Sequence, residues 1–244
     1  MARIFITGSA DGLGQLAAKL LIEKGHKVLL HARNTERGHD ALKKTPGAEN
    51  VLTGDLSSIE ETINLADQIN ALGSFDAVIH NAGVYRTSAK EIFSVNTLAP
   101  YILTCLMQKP KRLIYLSSGM HLYGRPKLER FKSDISSLTY SDSKLHVVML
   151  CNAVARKWPG VFCNAVDPGW VPTKMGGQGA PDNLQKGYET QVWLAVSNDE
   201  KAKVTGKYFY HQKERNCNAE SGDVILQDKF LAVCKEITGI SFPE

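Results

Sequence analysis

The chain has 244 residues, of which 43% are hydrophobic and 22% charged, and its formal net charge at pH 7 is +4. This composition is typical of a folded protein with a large core. No dense basic run is interleaved with aromatic residues, so nucleic-acid binding is not indicated. No apolar stretch is long enough to span a membrane, and the first residues enter a predicted strand rather than a signal peptide. The five scattered cysteines argue against a disulfide framework or a metal site and favour a cytoplasmic location.

Apolar residues recur along the chain at strand and helix spacings in alternation. Strands are predicted over residues 3–6, 27–31, 51–55, 75–80, 112–116, 161–166 and 207–210. Helices are predicted after residue 14, over 35–44, from 57 or 58, over 88–107, from Tyr140 to before Pro159, over 185–197 and over 222–237. This alternation predicts one α/β domain over residues 1–244, built on a doubly wound parallel sheet. Ligands of such sheets bind outside the carboxyl ends of the strands.

A glycine-rich stretch, Thr7–Gly14, lies between the first predicted strand and the first predicted helix. Free N–H groups and the dipole at a helix start favour an anion there. Gly8 can take a tight turn, and Gly12 and Gly14 have no Cβ that would obstruct a phosphate or a neighbouring strand. The stretch is therefore predicted to hold a pyrophosphate, with an ordinary strand-to-helix turn as the alternative.

Tyr140 and Lys144 lie one helical turn apart, on one face of a predicted helix. A lysine cation, helped by an oxidised nicotinamide ring, would lower the pKa of the phenol, which could then exchange a proton with a carbonyl or alcohol oxygen. Ser117 and Ser118 end the fifth predicted strand, where a hydroxyl can bind the substrate oxygen. Asn96 could hold a water molecule that links Lys144 to solvent. Each of these residues also has a purely structural alternative. Tyr140 and Lys144 could be an exposed helical pair, the two serines a strand-end cap, and Asn96 an amide that faces solvent.

The residues after the second predicted strand bear on the choice of cofactor. Dinucleotide folds specific for NAD place an acidic side chain there, but no acid occurs from residue 26 through residue 35. Arg33 could instead pair with the 2′-phosphate of NADP, and the hydroxyl of Ser9 could bind the same phosphate. NADP is therefore predicted over NAD, the alternative being that Arg33 is only a solvated surface residue.

The combined motifs resemble the short-chain dehydrogenase/reductase family over nearly the whole chain. They are Thr7-Gly8-x-x-x-Gly12-x-Gly14, Asn81-Ala82-Gly83, Asn96, Ser118, Tyr140-x-x-x-Lys144 and Pro168-Gly169 followed by Thr173. The segments 116–121, 140–145 and 206–209 are most similar to the branch that contains retinol dehydrogenases and carbonyl reductases. The resemblance implies a Rossmann-type, three-layer fold. It also implies hydride transfer between NADP and a small or medium-sized carbonyl or alcohol substrate.

The resemblance also implies a role for particular residues. The catalytic tetrad would be Asn96, Ser118, Tyr140 and Lys144. The cofactor contacts would be Gly8, Ser9, Gly12, Leu13, Gly14, Arg33, Asp55, Leu56, Asn81, Ala82, Gly83, Tyr140, Lys144, Pro168, Gly169 and Thr173. Helices 140–157 and 185–197 form the usual association surface in this family, which favours a dimer or tetramer, while a monomer stays open.

Two rival interpretations concern function. A non-enzymatic nucleotide-sensing or interaction protein on the same fold is the alternative to an enzyme. A sugar-nucleotide epimerase or dehydratase is disfavoured, because the chain after Thr173 is short for an added substrate domain. The glycine-rich loop 174–181 is predicted to form a lid over nicotinamide and substrate, with apolar contacts from Trp170 and Met175. An ordinary flexible surface loop is the alternative.

Overall fold

The computed structural model describes residues 1–243. Its strands are β1 (Arg3–Ile6), β2 (Lys27–Ala32), β3 (Asn50–Thr53), β4 (Ala77–His80), β5 (Arg112–Leu116), β6 (Phe162–Asp167), β7 (Lys207–Tyr210) and β8 (Lys213–Arg215). Its α-helices are α1 (Gly12–Glu23), α2 (Thr35–Lys44), α3 (Ile59–Ala71), α4 (Ala89–Phe93), α5 (Ala99–Leu106), α6 (Arg130–Ser133), α7 (Tyr140–Lys157), α8 (Leu184–Val196) and α9 (Val224–Thr238). Every helix within these residues falls short of the length and apolar character that a membrane crossing requires.

The strands form one sheet in the order β3-β2-β1-β4-β5-β6-β7-β8. All neighbours pair in parallel except β7 and β8, which are antiparallel. The chain moves outward from β1 to β3, then returns to the other side of β1 as β4, with Phe5 opposite Val78. The predicted doubly wound parallel sheet is therefore confirmed, and the strand order reverses between β1 and β4, whose carboxyl ends lie side by side. This is where ligands bind in such folds.

Alternating strand residues face two separate apolar layers. Phe5 and Leu29 face the layer formed with α3, α5, α7 and α9. Ile4, Ile6 and Leu30 face the layer formed with α1, α2 and α8. Because the sheet is covered on both faces, its strands can be apolar throughout, and the predicted three-layer arrangement is confirmed.

Helix α7 lies largely in the interior of the protein. Its residues 142–151 are all buried, and α9 covers the side that faces away from the sheet. The ring of Phe230 on α9 stacks on His146, with centroids 5.8 Å apart, and Arg156 Nε donates to Gln227 Oε1 at 3.1 Å. This covering argues against the expectation that helix 140–157 forms an association surface between subunits. The same expectation for helix 185–197, and the oligomeric state itself, stay predictions.

The predicted helix over 88–107 is interrupted. Helix α4 passes into a wider π turn over Ser94–Leu98 before α5 begins. Pro100 has no N–H and so cannot donate to the carbonyl of Asn96 in the α-helical pattern, which accounts for the wider turn. Residues 118–138, which lie outside the predicted strands and helices, contain α6 and short helical turns at 119–123 and 135–137.

Strand β8 has no counterpart in the sequence prediction. Its three residues are charged and exposed, so they show no apolar alternation. The turn that precedes it uses positive φ angles at His211 (49°) and Gln212 (61°). Hairpin turns with positive φ usually have glycine, asparagine or aspartate at these positions. Neither His211 nor Gln212 is one of these residues, so the sequence does not indicate the turn.

Candidate active site

A cleft of about 410 Å³ opens at the carboxyl ends of the central strands. The structure brings together at this cleft most of the residues that the sequence nominates for cofactor binding. They are Gly8, Gly12, Leu13, Arg33, Asp55, Leu56, Asn81, Ala82, Gly83, Tyr140, Lys144, Pro168 and Thr173.

The glycine loop is held against the segment that follows β4. Asn81 Nδ2 donates to the carbonyl oxygens of Thr7 (2.9 Å) and Gly8 (3.0 Å). A Cβ on Gly14 would lie 2.4 Å from the same amide nitrogen, so only glycine fits there. Gly12, with φ of +56°, has no atom within 4 Å of the place that a Cβ would take. The start of α1 is thus close-packed behind the loop and open toward the cleft.

His31 supports the glycine loop from β2 and was not singled out from the sequence. Its Nδ1 accepts from the N–H of Gly8 at 2.9 Å, so the proton is on Nε2, which donates to the carbonyl of Gly54 at 3.0 Å. Burial lowers the pKa of His31 to about 4. This neutral ring joins the glycine loop to the segment that carries Asp55. In the sequence it is one residue of an apolar strand, which gives no signal for the role.

The structure contradicts the prediction for Ser9. Its side chain is fully buried and turned away from the cleft. Its Oγ donates to the carbonyl of Ile6 at 2.9 Å and accepts from the N–H of His31 at 2.9 Å. The hydroxyl satisfies backbone groups at the strand ends and is not available to a phosphate.

Positive charge collects at the end of the cleft next to β2. Arg33 is exposed and lines the cleft, as does Arg37, which the sequence analysis did not select. One guanidinium nitrogen of Arg37 lies 2.7 Å from Asp11 Oδ2, and Lys174 Nζ lies 3.5 Å from the same oxygen. Two cations therefore flank the carboxylate of Asp11, and Arg33 lines the same end of the cleft. Arg37 sits in the first turn of α2, whereas Arg33 precedes the N-cap Asn34, so no helical spacing in the sequence pairs the two arginines.

Tyr140 and Lys144 occupy the first two turns of α7. Lys144 Nζ lies 5.5 Å from the centroid of the Tyr140 ring and donates to the carbonyl of Leu116 at 2.9 Å. Burial lowers the pKa of Lys144 to about 8. Burial also raises the pKa of Tyr140, and a hydrogen bond with Ser118 only partly offsets this effect. The net effect of the surrounding protein is therefore to raise the pKa of the phenol. The lowering predicted from Lys144 together with an oxidised nicotinamide ring stays a prediction.

The two serines after β5 have different environments. Ser117 is buried, and its Oγ donates to the carbonyl of Lys144 at 2.9 Å, which ties α7 to the sheet. Ser118 is half-buried, and its Oγ accepts from the N–H of Met120 at 3.2 Å as well as contacting the phenol of Tyr140. Of the pair, Ser118 is the one that faces the reactive side chain.

Asn96 fixes the loop that follows β4. Its Oδ1 accepts from the N–H of Val84 at 2.8 Å, and its Nδ2 donates to the carbonyl of Val84 at 3.0 Å and to Ser143 Oγ at 3.0 Å. Both amide hydrogens are therefore used within the protein. The water molecule predicted to link Asn96 and Lys144 stays a prediction.

A clasp between His121 and Asn218 orders the segment after Ser118 and was also missed. His121 is fully buried, and its ring accepts from the N–H of Asn218 at 3.2 Å through Nε2. Its Nδ1 therefore carries the proton and donates to the carbonyl of Ser118 at 2.8 Å. Asn218 Nδ2 donates in turn to three carbonyls of the same segment, at 3.3 to 3.4 Å. The partners are 97 positions apart, so no local pattern reveals them.

The loop after β6 is fixed at its two ends. Gly169 has φ of +81°, and a Cβ there would lie 2.6 Å from Asp182 Oδ2, which accepts from the N–H of Trp170 at 2.6 Å. Trp170 is 61% exposed and Met175 45% exposed. The predicted closure of this loop over a ligand stays a prediction.

Comparisons with known proteins agree with this geometry. The model of the short chain dehydrogenase family matches residues 2–183. An uncharacterized oxidoreductase of Emericella nidulans is 45% identical over 256 residues, which cover 100% of this chain and 99% of the relative. Retinol dehydrogenase 14 of Mus musculus is 26% identical over 287 residues, which cover 97% and 86% of the two chains. The chain therefore belongs to the short-chain dehydrogenase/reductase family and is an oxidoreductase of that family.

Solved structures show the same fold. An uncharacterized protein from Mycobacterium paratuberculosis superposes with a TM-score of 0.85 at 21% identity, covering 100% of this chain and 96% of the other. A short chain dehydrogenase from Shigella flexneri 2a, solved in complex with NADP, superposes with a TM-score of 0.68 at 22% identity. The match covers 87% of this chain and 97% of the other.

Proposed function

We propose that this protein is an NADP-dependent oxidoreductase that interconverts a small or medium-sized carbonyl compound and its alcohol, with Tyr140 as general acid and base. The observation that carries the proposal is the contact of the Ser118 hydroxyl with the Tyr140 phenol, which lines the cleft together with Lys144. A non-enzymatic nucleotide sensor is the alternative, and it would have no need for all three groups.

The cleft fits a dinucleotide cofactor, which supplies or accepts the hydride when bound. Gly8, Gly12, Leu13 and Gly14 would hold the pyrophosphate, because the loop is open at Gly12 and backed by the start of α1. The other proposed contacts follow the family resemblance. Asp55 and Leu56 would contact the adenine, Asn81, Ala82 and Gly83 the adjacent ribose, Lys144 the second ribose, and Pro168, Gly169 and Thr173 the nicotinamide end.

The chain's own groups account for the proton. Burial keeps the Tyr140 phenol protonated, which is the form that can donate to a carbonyl oxygen. Ser118 would bind and orient that oxygen. When the phenol gives up its proton, the nearby Lys144 ammonium would stabilise the phenolate. Asn96 acts as a positioning residue, since it holds Val84 and Ser143 in place beneath the site.

The direct test follows nicotinamide absorbance while the purified protein is mixed with NADPH and a panel of ketones and aldehydes. Turnover of any of them supports the enzyme. Tight NADPH binding without turnover of any compound, in either direction, would favour the sensor.

NADP is preferred over NAD because two arginines stand where a 2′-phosphate would bind. Replacing Arg33 with aspartate should lower the NADPH-to-NADH ratio of kcat/KM by about ten- to a hundredfold, since charge-assisted hydrogen bonds are each worth about 1.5–3 kcal/mol. The new carboxylate repels the phosphate and accepts hydrogen bonds from the ribose hydroxyl of NAD.

The matched control for this variant is Arg130→Asp, which makes the same charge change at an exposed arginine of α6. It should leave the ratio unchanged. Equal use of NADH and NADPH by the unmodified protein, or an unaltered ratio in Arg33→Asp, would rule out the assignment.

Three further proposals concern the domain organisation, the location and the oligomeric surface of the protein. One continuous sheet supports a single domain over residues 1–244. Five free cysteines support a reducing, cytoplasmic environment. Any homo-oligomer would form through surfaces other than α7, because that helix is buried within the chain.

A further inference from the structure

Asp167 places a carboxylate beside the reacting groups. It ends β6 and is half-buried, and its Oδ1 accepts from the N–H of Gly169 at 2.9 Å. Its Oδ2 faces Gly119, where an added Cβ would lie 3.0 Å from this oxygen. Because Gly119 directly follows Ser118, the carboxylate lies on the Ser118 side of Tyr140. Because Gly119 has no side chain, that residue does not cover the oxygen.

The charge of Asp167 is not neutralised within the protein. Among residues 1–243, none of the ion pairs involves Asp167. The nearby Lys144 ammonium is directed instead to the carbonyl of Leu116. The carboxylate reaches the catalytic groups electrostatically, because it adds to the effect of burial in raising the pKa of Tyr140 and opposes the effect of burial on Lys144. The carboxylate has two donor neighbours, the N–H of Gly169 and the buried phenol of Tyr208, but no cationic partner among the described residues. A partly buried charge without a cation beside it is unfavourable and is stabilised by a further donor group.

Exposed apolar side chains stand on the loops that follow β4, β5 and β6, at the same edge of the sheet as this carboxylate. Tyr85 is 36% exposed, and its ring lies 4.7 Å from that of Tyr140. Met120, Trp170 and Met175 are 40% to 61% exposed on the neighbouring loops. Exposed apolar groups concentrated at one edge of a protein indicate a surface that binds apolar matter. The edge of the sheet near Tyr140 therefore combines exposed apolar side chains with the carboxylate of Asp167.

We propose that Asp167 determines substrate specificity by selecting carbonyl compounds that carry a hydrogen-bond-donating nitrogen, charged or neutral, near the carbonyl group. The N–H would bind Oδ2 across the space that Gly119 leaves open, while an aromatic or aliphatic remainder contacts the apolar loops. Substrates with a carboxylate or phosphate at this position are rejected by repulsion between like charges. This inference rests on the proposed function and adds the substrate class to it.

The test uses three ketones that share a phenyl ring and differ in charge: 2-amino-1-phenylethanone, acetophenone and phenylglyoxylate. With NADPH, kcat/KM of the unmodified protein should fall in that order. Asp167→Asn keeps an oxygen that can accept from Gly169 but removes the charge. It should reduce the amine-to-carboxylate ratio of kcat/KM by about ten- to a hundredfold, the range expected for a partly screened charge pair. The rate with acetophenone should change by less than about threefold.

Two further variants sharpen the test. Gly119→Ala sets a methyl group against Oδ2 and should reduce the same ratio without altering any charge, which also covers the case that Asp167→Asn does not fold. Glu220→Gln removes a carboxylate that pairs with Arg125 at 3.7 Å, outside the cleft, and should leave the ratio unchanged.

The outcomes separate this inference from the proposed function. If acetophenone is reduced but the unmodified protein uses phenylglyoxylate as well as the amine, or both site variants leave the ratio unchanged, the role of Asp167 is overturned. If none of the three ketones is reduced, calorimetric affinities of the same ketones for the NADP-bound protein decide the matter. The order amine, acetophenone, carboxylate then supports the inference, and equal affinities overturn it.

Discussion

Replacing Tyr140 with phenylalanine is expected to lower kcat by about 10²–10⁴-fold, the usual cost of losing a general acid. The phenyl ring keeps its contact with Tyr85 and its distance from Lys144, so the shape of the cleft is preserved. The loss of one hydroxyl and its hydrogen bond with Ser118 should cost only about 1 kcal/mol of folding free energy. The measurement compares kcat, NADPH affinity and the midpoint of urea unfolding in the two proteins.

Tyr85→Phe provides the matched control, because its ring packs on that of Tyr140 and the change removes the same atom. It should keep kcat within a few-fold of the unmodified protein. Near-native turnover in Tyr140→Phe would refute the role of Tyr140. Equal losses in both variants would show that packing rather than proton transfer is affected.

The second large effect is a loss of folding stability at acidic pH. His31, His80 and His146 are buried and neutral, and burial lowers their pKa values to about 4, about 3 and about 4. In the unfolded chain each has a pKa of about 6.5. The folded pKa lies below the unfolded one, so the stability from keeping these rings neutral is complete above about pH 6.5 and is lost as pH falls toward about 4.

As the pH falls through this range, each of these histidines lowers the free energy of unfolding by up to about 1.4 kcal/mol per pH unit. The three together lower it by up to about 4 kcal/mol per pH unit. Typical domains are stable by only about 5–15 kcal/mol, so we expect unfolding near pH 5. Carboxylates titrate mostly below this window, with ordinary pKa values of about 4. The measurement is urea unfolding at a series of pH values between neutrality and pH 5.

His80→Phe should flatten this pH dependence by about one proton, since the new ring can keep the stacking on Tyr115 and does not titrate. The exposed His39 serves as the control, and His39→Gln should leave the slope unchanged. A stability that does not vary between pH 7 and pH 5 would contradict the expectation. Acid should also affect the glycine loop directly, because a proton on His31 Nδ1 displaces the N–H of Gly8.

Local patterns predicted the sheet and the glycine loop because these depend on features within a few residues. Apolar runs mark the central strands, and the turn into α1 needs glycine. Contacts between distant segments left no such mark. His121 and Asn218 meet only in the folded chain, and Ser9 turns inward because strand-end groups near Ile6 and His31 need a partner.

Charge patterns were informative only in part. The missing acid after β2 directed attention to Arg33, but Arg37 became visible only when α2 brought it to the same end of the cleft. Asp167 stood next to the Pro168-Gly169 motif and received no role, because a single carboxylate has no pattern of its own. Its position became interpretable once Gly119 was found facing it.

Because α9 covers α7, the shortest chain that can fold and be active must include α9. Every residue of the proposed tetrad precedes residue 145, and the family model ends at 183. A chain shortened before residue 224 would keep all of these residues yet expose the apolar side of α7 on which Phe230 packs. Such a fragment should aggregate rather than turn over substrate. The proposed tetrad thus depends on α9, which contributes no atom to the proposed site, and truncated or fused variants should keep α9 intact.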